Sequence, residues 1–202
     1  MILSDVSIQQ HLESMTLWID PPPKIIQPAS VDLHLGGTFV VLTGTTIDRF
    51  GPRKRGPVTS ENTLAADQCF YLFPGMFVLA EVKEHIRIPD FLVGKLEGKS
   101  TLARDGLVVE NAGYVDPGWN GKLTLELYNL GPATLLLRPG QPVCQIRFEM
   151  LTTSASRLYG DPALGSHYQG SQNVRAGYDP ATPVETQLIL PGSEDIPVES
   201  RT

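Results

Sequence analysis

Between residues 69 and 150 short apolar runs alternate with turn-formers, and this rhythm narrows the folds open to the chain. The runs are CFYLF, MFVLAEV, IRI, LVGKLEG, LVVE, KLTLELY, TLLLR and VCQIRFEML. The breaks are Pro74-Gly75, Pro89-Asp90, Asp105-Gly106, Pro117-Gly118, Gly131-Pro132 and Pro139-Gly140. Runs this short, recurring about every 8–12 residues, read as strands, and turn signals at that spacing belong to a sandwich or barrel. No helix of 10–15 residues separates them, which argues against βαβ units. Composition agrees. With 19 glycines and 17 prolines in 202 residues and no collagen-like period, many short elements are expected. The expected fold is all-β with short helices.

The flanks read differently. Ser4 fits a helix N-cap, with Asp5 in the first turn, where the helix dipole favours a negative charge. Ile8, Leu12 and Met15 fall on one helical face, and Pro21-Pro22-Pro23 stops the helix. Thr38–Thr43 reads as a strand. Residues 44–68 are polar and read as a long loop or hairpin arm. Its cluster Arg49, Arg53, Lys54 and Arg55 is either a solvated surface or a phosphate or partner contact. After about residue 152, Ser, Gly, Asp, Gln and Pro dominate. Such a tail buries little area alone, so it is either mobile or ordered against a neighbouring subunit or a ligand. The organisation expected is one β domain over residues 1–172 with a tail over 173–202.

Charge and motifs exclude several functions. With 16 Lys plus Arg against 22 Asp plus Glu, the net charge is −6, which opposes bulk nucleic-acid binding. No apolar stretch is long enough to span a membrane, and the first residues do not resemble a signal peptide. Cys69 and Cys144 form no CxxC pair, so a reducing, cytoplasmic setting is expected. Gly98-Lys99-Ser100 imitates the end of a P-loop, but position 93 is Val where a Gly is required. His11-Leu12-Glu13 matches half of a zinc-deaminase signature whose P-C-x-x-C half is missing. The four histidines, His11, His34, His85 and His167, have no ligand spacing, so no zinc or other protein-held metal is expected.

The informative stretch is residues 94–129. Along Lys122–Tyr128, Leu123, Leu125 and Leu127 face one side, the core, and Lys122, Thr124, Glu126 and Tyr128 the other. Glu126 is a mid-strand carboxylate. Covered, it would have a raised pKa and could act as general acid/base; uncovered, it is an ordinary solvent-facing Glu. Gly98–Arg104 begins with a Gly and two hydroxyls and continues as a short helical turn. It is either a phosphate cradle assisted by Lys99 and Arg104, or a capped turn with a surface ion pair. Residues 111–118, NAGYVDPG, form a tight glycine-bearing loop entering the Glu126 strand, in which Asp116 suits a turn.

GKSTLAR, AGYVDPGWNG and LTLELYN together resemble successive signature segments of dCTP deaminases, within the dUTPase-like superfamily. ILSDVSIQQHL, residues 27–36 (QPASVDLHLG), Phe73-Pro74-Gly75, Arg138-Pro139-Gly140 and Gln145-Ile146 match as well, over roughly residues 1–172. The resemblance implies a distorted β-barrel or jelly-roll, a homotrimer with active sites between subunits, and zinc-free deamination of cytosine at C4. It implies that Glu126 activates water, and that Ser100 and Ala112 help hold the water and the base. It places Arg104 at the reacting site as a positive charge. Lys99, Ser100, Thr101 and Arg104 would hold the phosphates of a nucleotide accompanied by Mg²⁺. Asp116 would meet the deoxyribose, while Thr124 and Leu125 present backbone to the base. Tyr159, His167 and Gln172 would belong to a tail folding over the triphosphate. dTTP is implied as a feedback inhibitor.

The sequence departs from the family pattern in places. His167 stands where a Lys is usual, Gln172 is displaced by one residue, and Asn111 replaces a common Thr. Gly113-Tyr114 stands where strictly monofunctional bacterial deaminases carry His-Arg, which points to the branch that also cleaves the triphosphate to give dUMP. Two other functions fit these motifs: a dUTPase-type pyrophosphatase without deaminase activity, and a non-catalytic nucleotide-binding regulatory trimer.

Overall fold

Strands dominate because most apolar residues alternate with polar ones at a period of two. The structure, a computed structural model, describes residues 1–43, 59–110 and 113–177. In chain order, α1 (Asp5–Glu13) is followed by β1 (Trp18–Asp20), β2 (Ile26–Gln27), β3 (Ser30–Leu42), β4 (Thr59–Thr63), β5 (Phe70–Leu72), β6 (Phe77–Arg87) and β7 (Leu92–Gly98). Then come α2 (Ser100–Arg104), β8 (Leu107–Glu110), β9 (Tyr114–Val115), β10 (Asn120–Asn129), β11 (Leu135–Leu137), β12 (Pro142–Met150) and a 3₁₀ turn at Pro162–Leu164. The architecture is all-β with short helices, as the sequence predicts.

The main sheet runs β8-β10-β6-β3-β12-β7-β9, with β1 added on β6 and with β2 and β4 added on β3. Each of these pairings is antiparallel. Long strands change partner along their length, which curls the sheet. β3 pairs β12 through Val31–His34 and β4 through Thr38–Leu42, and its register with β6 shifts between Leu35 and Phe39. Gly36 lies in that shift, and a Cβ there would stand 2.5 Å from Cγ of Glu81. β5 and β11 form a separate two-stranded sheet. One core of buried side chains, Phe39, Leu125, Leu127, Ile146 and Phe148 among them, draws on nearly every strand.

Four local outcomes differ from or sharpen the sequence reading. The first helix forms, with Ser4 accepting from the Ser7 N–H, and Ile8 is fully buried. Met15 is not on its face. It lies beyond the helix at φ +57° and is 54% exposed. The left-handed turn there redirects the chain so that Leu17, fully buried, fills the core instead. The runs MFVLAEV and IRI are a single strand, β6, because the polar stretch between them includes Glu84, buried against His34. The strand expected at 38–43 starts at Ser30, and within the polar stretch 44–68 a fully exposed strand, β4, pairs with it as a hairpin arm. Residues 44–58, with the basic cluster, lie outside the described residues. Among the described residues no helix is long and apolar enough to cross a membrane.

Candidate active site

The frame of the site is β10, which lies between β6 and β8. Its leucines, Leu123, Leu125 and Leu127, are buried, while Lys122, Thr124, Glu126 and Tyr128 are half-buried on the outward face, the alternation read from the sequence. In register, Glu126 stands opposite Leu79 of β6 and Glu110 of β8, and Thr124 stands opposite Glu81. Because the side chain of Leu125 is only 1% exposed, it can offer a ligand nothing but backbone.

One edge of β10 is filled by two different segments. β8 pairs with Glu126–Asn129. At the other end the Gly170 N–H donates to the Asn120 carbonyl (2.9 Å), and the Lys122 N–H donates to the Ser171 carbonyl (2.8 Å). Thr124, two residues beyond Lys122, directs its backbone groups the same way. Among the described residues no strand pairs with residues 123–125 on that edge.

Glu81 is a buried carboxylate beside this strand that the sequence reading missed. Burial raises its pKa, opposed by the Lys122 ammonium 3.9 Å from Oε1 and by a hydrogen bond from Thr38, and assisted by Glu61. Its Oε2 has no hydrogen-bond partner among the described residues. The run MFVLAEV reads only as a strand and singles out no role for its Glu. What buries it comes from β3, β10 and chain remote in sequence.

The GKSTLAR segment leaves β7 at Gly98 and forms α2. No side chain caps α2, so N–H groups of its first turn are left for solvent or a ligand. Ser100, Thr101 and Arg104 are exposed. Lys99 is held: its Nζ donates to Oδ1 of Asp32 at 2.7 Å. α2 leads directly into β8, the neighbour of β10, so chain connectivity brings this segment toward the Glu126 strand.

The loop before β10 turns at Asp116, whose carbonyl accepts from the Trp119 N–H at 3.1 Å, with Gly118 at φ +84°. Burial raises the pKa of Asp116. Tyr159 docks here. Its N–H donates to the Pro117 carbonyl, its ring lies 5.3 Å from that of Trp119, and its hydroxyl accepts from the Tyr168 N–H. Gln169, which the sequence reading did not single out, is the hub. It accepts from the Asn120 N–H and donates to the carbonyls of Gly118 and Tyr159. His167 is exposed, with its ring edge-on to Tyr168, and Gln172 donates to the Gly170 carbonyl. Residues 173–177 continue across the chain's own sheet: the Arg175 N–H donates to Oγ1 of Thr124, and Val174 packs on Val40 and Leu79. Asp116, Tyr159 and the start of β10 are therefore brought together. Ala112, Asn111 and residues 178–202 lie outside the described residues.

This docking makes a prediction. A Cβ at Gly121 would meet the Ser171 carbonyl oxygen at 2.9 Å and its nitrogen at 3.0 Å, both backbone atoms. Gly121→Ala is expected to lift residues 169–175 off β10 while the barrel stays folded. Limited proteolysis should then cut within residues 160–177 at least about tenfold faster, with the thermal midpoint little changed. An unchanged cleavage rate would show that the segment does not depend on this contact.

A family profile described as dCTP deaminase-like matches residues 2–151. The chain belongs to this family. It is 40% identical over 175 residues to a protein of Methanosphaera stadtmanae named "dCTP deaminase, dUMP-forming", covering 84% of this chain and 89% of that one. A Tropheryma whipplei protein of the same name is 38% identical over 179 residues, covering 87% of this chain and 91% of the relative. The fold resembles the crystal structure of a 2'-deoxycytidine 5'-triphosphate deaminase from Agrobacterium tumefaciens, with TM-score 0.57 and 23% identity over 74% of this chain. This chain spans about half of that one, 48% of its length. The family profile thus covers α1, the whole main sheet, α2 and the loop at Asp116, and stops where the docked tail begins. Among the described residues no group of three or more His, Cys, Asp or Glu could hold a metal ion.

Proposed function

We propose that this member of the dCTP deaminase-like family hydrolyses dCTP at cytosine C4, releasing ammonia, and carries the nucleotide on to dUMP and pyrophosphate. The observation that carries the reading is Glu126: a half-buried carboxylate in mid-strand, on the outward face of β10 beside Thr124. The relatives named "dCTP deaminase, dUMP-forming" and the Gly113-Tyr114 pair support the product assignment.

In this reading the base lies against the backbone of Thr124 and Leu125, and the deoxyribose meets Asp116. Ser100, Arg104 and Ala112 hold the water and the reacting end of the base. Glu126 takes a proton from the water as its oxygen bonds to C4, then returns a proton to the departing nitrogen. The C4–N bond breaks, ammonia leaves, and the proton of the C4 hydroxyl passes to N3 as the C4 carbonyl forms. One carboxylate acts as base and then as acid. Mg²⁺ arrives as part of the Mg–nucleotide substrate. Lys99, Ser100, Thr101 and Arg104 receive the phosphates, concentrating positive charge locally on a net-acidic chain. Tyr159, His167 and Gln172 close over them from the tail.

The same reading makes the enzyme a cytoplasmic homotrimer inhibited by dTTP. Two free cysteines are consistent with a reducing compartment. The exposed cross-strand pair Tyr71 and Leu136 offers apolar surface for assembly.

The test is product analysis after incubation with dCTP and Mg²⁺. Ammonia with dUMP and pyrophosphate is the expected result. Ammonia with dUTP would reduce the reading to deamination alone. Intact dCTP alongside hydrolysed dUTP would replace it with a pyrophosphatase.

A further inference from the structure

A dense set of charges gathers where β6, β3, β12 and the end of β7 lie side by side. Glu84 accepts from the His34 backbone N–H at 2.9 Å, and its Oε1 lies 2.7 Å from Nδ1 of the same histidine. Lys99 Nζ lies 2.7 Å from Asp32 Oδ1, with the two side chains 25% and 21% exposed. The Cys144 thiol is pushed up to about 12, first by burial and then by the carboxylates of Glu84 and Asp32, with Lys99 acting the other way. It therefore stays neutral among three charges.

The register explains how these groups meet. β12 lies between β3 and β7, with Cys144 opposite Leu33 on one side and Gly98 on the other. Lys99, the residue after Gly98, must reach across β12 to find Asp32 on β3. Asp32 is far from Lys99 in sequence and lies on the strand face opposite the buried Val31 and Leu33. An ammonium has three donors, and the bond to Asp32 uses one while fixing the direction of a four-carbon stem.

We propose that Asp32 is a positioning residue for nucleotide binding: it fixes the direction of the Lys99 ammonium, the group given above to the phosphates of the substrate. The inference rests on the phosphate-binding role given to Lys99 above. The competing expectation is that Asp32 repels phosphate, so that its removal would tighten binding. Solvent reaches both side chains and screens that repulsion. Releasing the lysine instead frees its rotatable bonds and misplaces the charge, and misplacement is costly where a ligand needs a fixed geometry.

A double-mutant cycle tests this with wild type, Asp32→Asn, Lys99→Met and the double variant. The readouts are kcat and KM for dCTP, the affinity for inorganic tripolyphosphate, and thermal midpoints. Asp32→Asn is expected to raise KM about tenfold with kcat within about twofold. The double variant should be no worse than Lys99→Met alone, because Asp32 acts through Lys99. Losses that multiply, or an unchanged or lower KM in Asp32→Asn, would overturn the proposal. Asp32→Ser takes the place of Asp32→Asn if the latter does not fold. If wild type leaves dCTP untouched, the deaminase reading fails separately. The tripolyphosphate affinities of the same four proteins then decide the role of Asp32: the non-additive pattern supports it, and no loss on removing Asp32 refutes it.

Discussion

Glu126→Gln is expected to lower dCTP deamination by about 10³- to 10⁴-fold while leaving the fold intact. The replacement keeps the shape of the side chain but removes the ability to take a proton from water and return one to ammonia. Glu126 is half-buried on the outward face, and its strand neighbours Leu125 and Leu127 carry the core contacts. The strand should therefore keep its pairing with β6 and β8. Steady-state deamination and a thermal melt on the same preparation check both halves. Activity within tenfold of wild type would remove Glu126 from the chemistry. A melt shifted by many degrees would give it a structural role instead.

The largest stability loss is expected for Phe39→Ala, about 3–5 kcal/mol. Phe39 is fully buried at the shift in register between β3 and β6, and its ring stacks on Phe70 at 4.5 Å with planes 4° apart. It therefore joins the main sheet to the two-stranded sheet that begins at Phe70. Truncation removes both the transferred area and the stacked partner and leaves a cavity in a close-packed layer. Urea unfolding measures the loss as a fall in midpoint at constant slope. Phe73→Ala is the control. Phe73 is 56% exposed, so its loss should stay within about 0.5 kcal/mol. Equal losses for the two would contradict the packing described here.

Much of the site was legible where a local rule governs it. In β10 the three leucines at alternate positions must share a face, and that alone turned Lys122, Thr124 and Glu126 outward together. Pro117-Gly118 marked the turn that feeds the strand, and the short helix after Gly98 followed from GKSTLAR. The helix at the N-terminus followed from Ser4 and Asp5, yet Met15 was misplaced, because a left-handed residue after a helix is set by where the chain must go next. Glu81 and Gln169 were invisible for a related reason. A buried Glu and a surface Gln leave no periodic signature; their importance comes from partners on other segments. The tail shows the limit most clearly. Its polar composition left open mobility or ordering against a neighbouring subunit or a ligand, and could not say that residues 159–175 are held on the chain's own β10 by backbone bonds and by Gln169.

Sequence alone therefore decided the strand-rich architecture, the inward and outward faces of β10 and the family motifs, because periodicity and turn chemistry act between residues close along the chain. Only the tertiary structure decided that Lys99 spans β12 to Asp32, that Glu81 is buried with an oxygen that has no hydrogen-bond partner among the described residues, and that the tail closes the start of the β10 edge at Asn120 and Lys122. Each of these depends on strand order and register. Those are set by how the whole core packs, and no local pattern of residues encodes them.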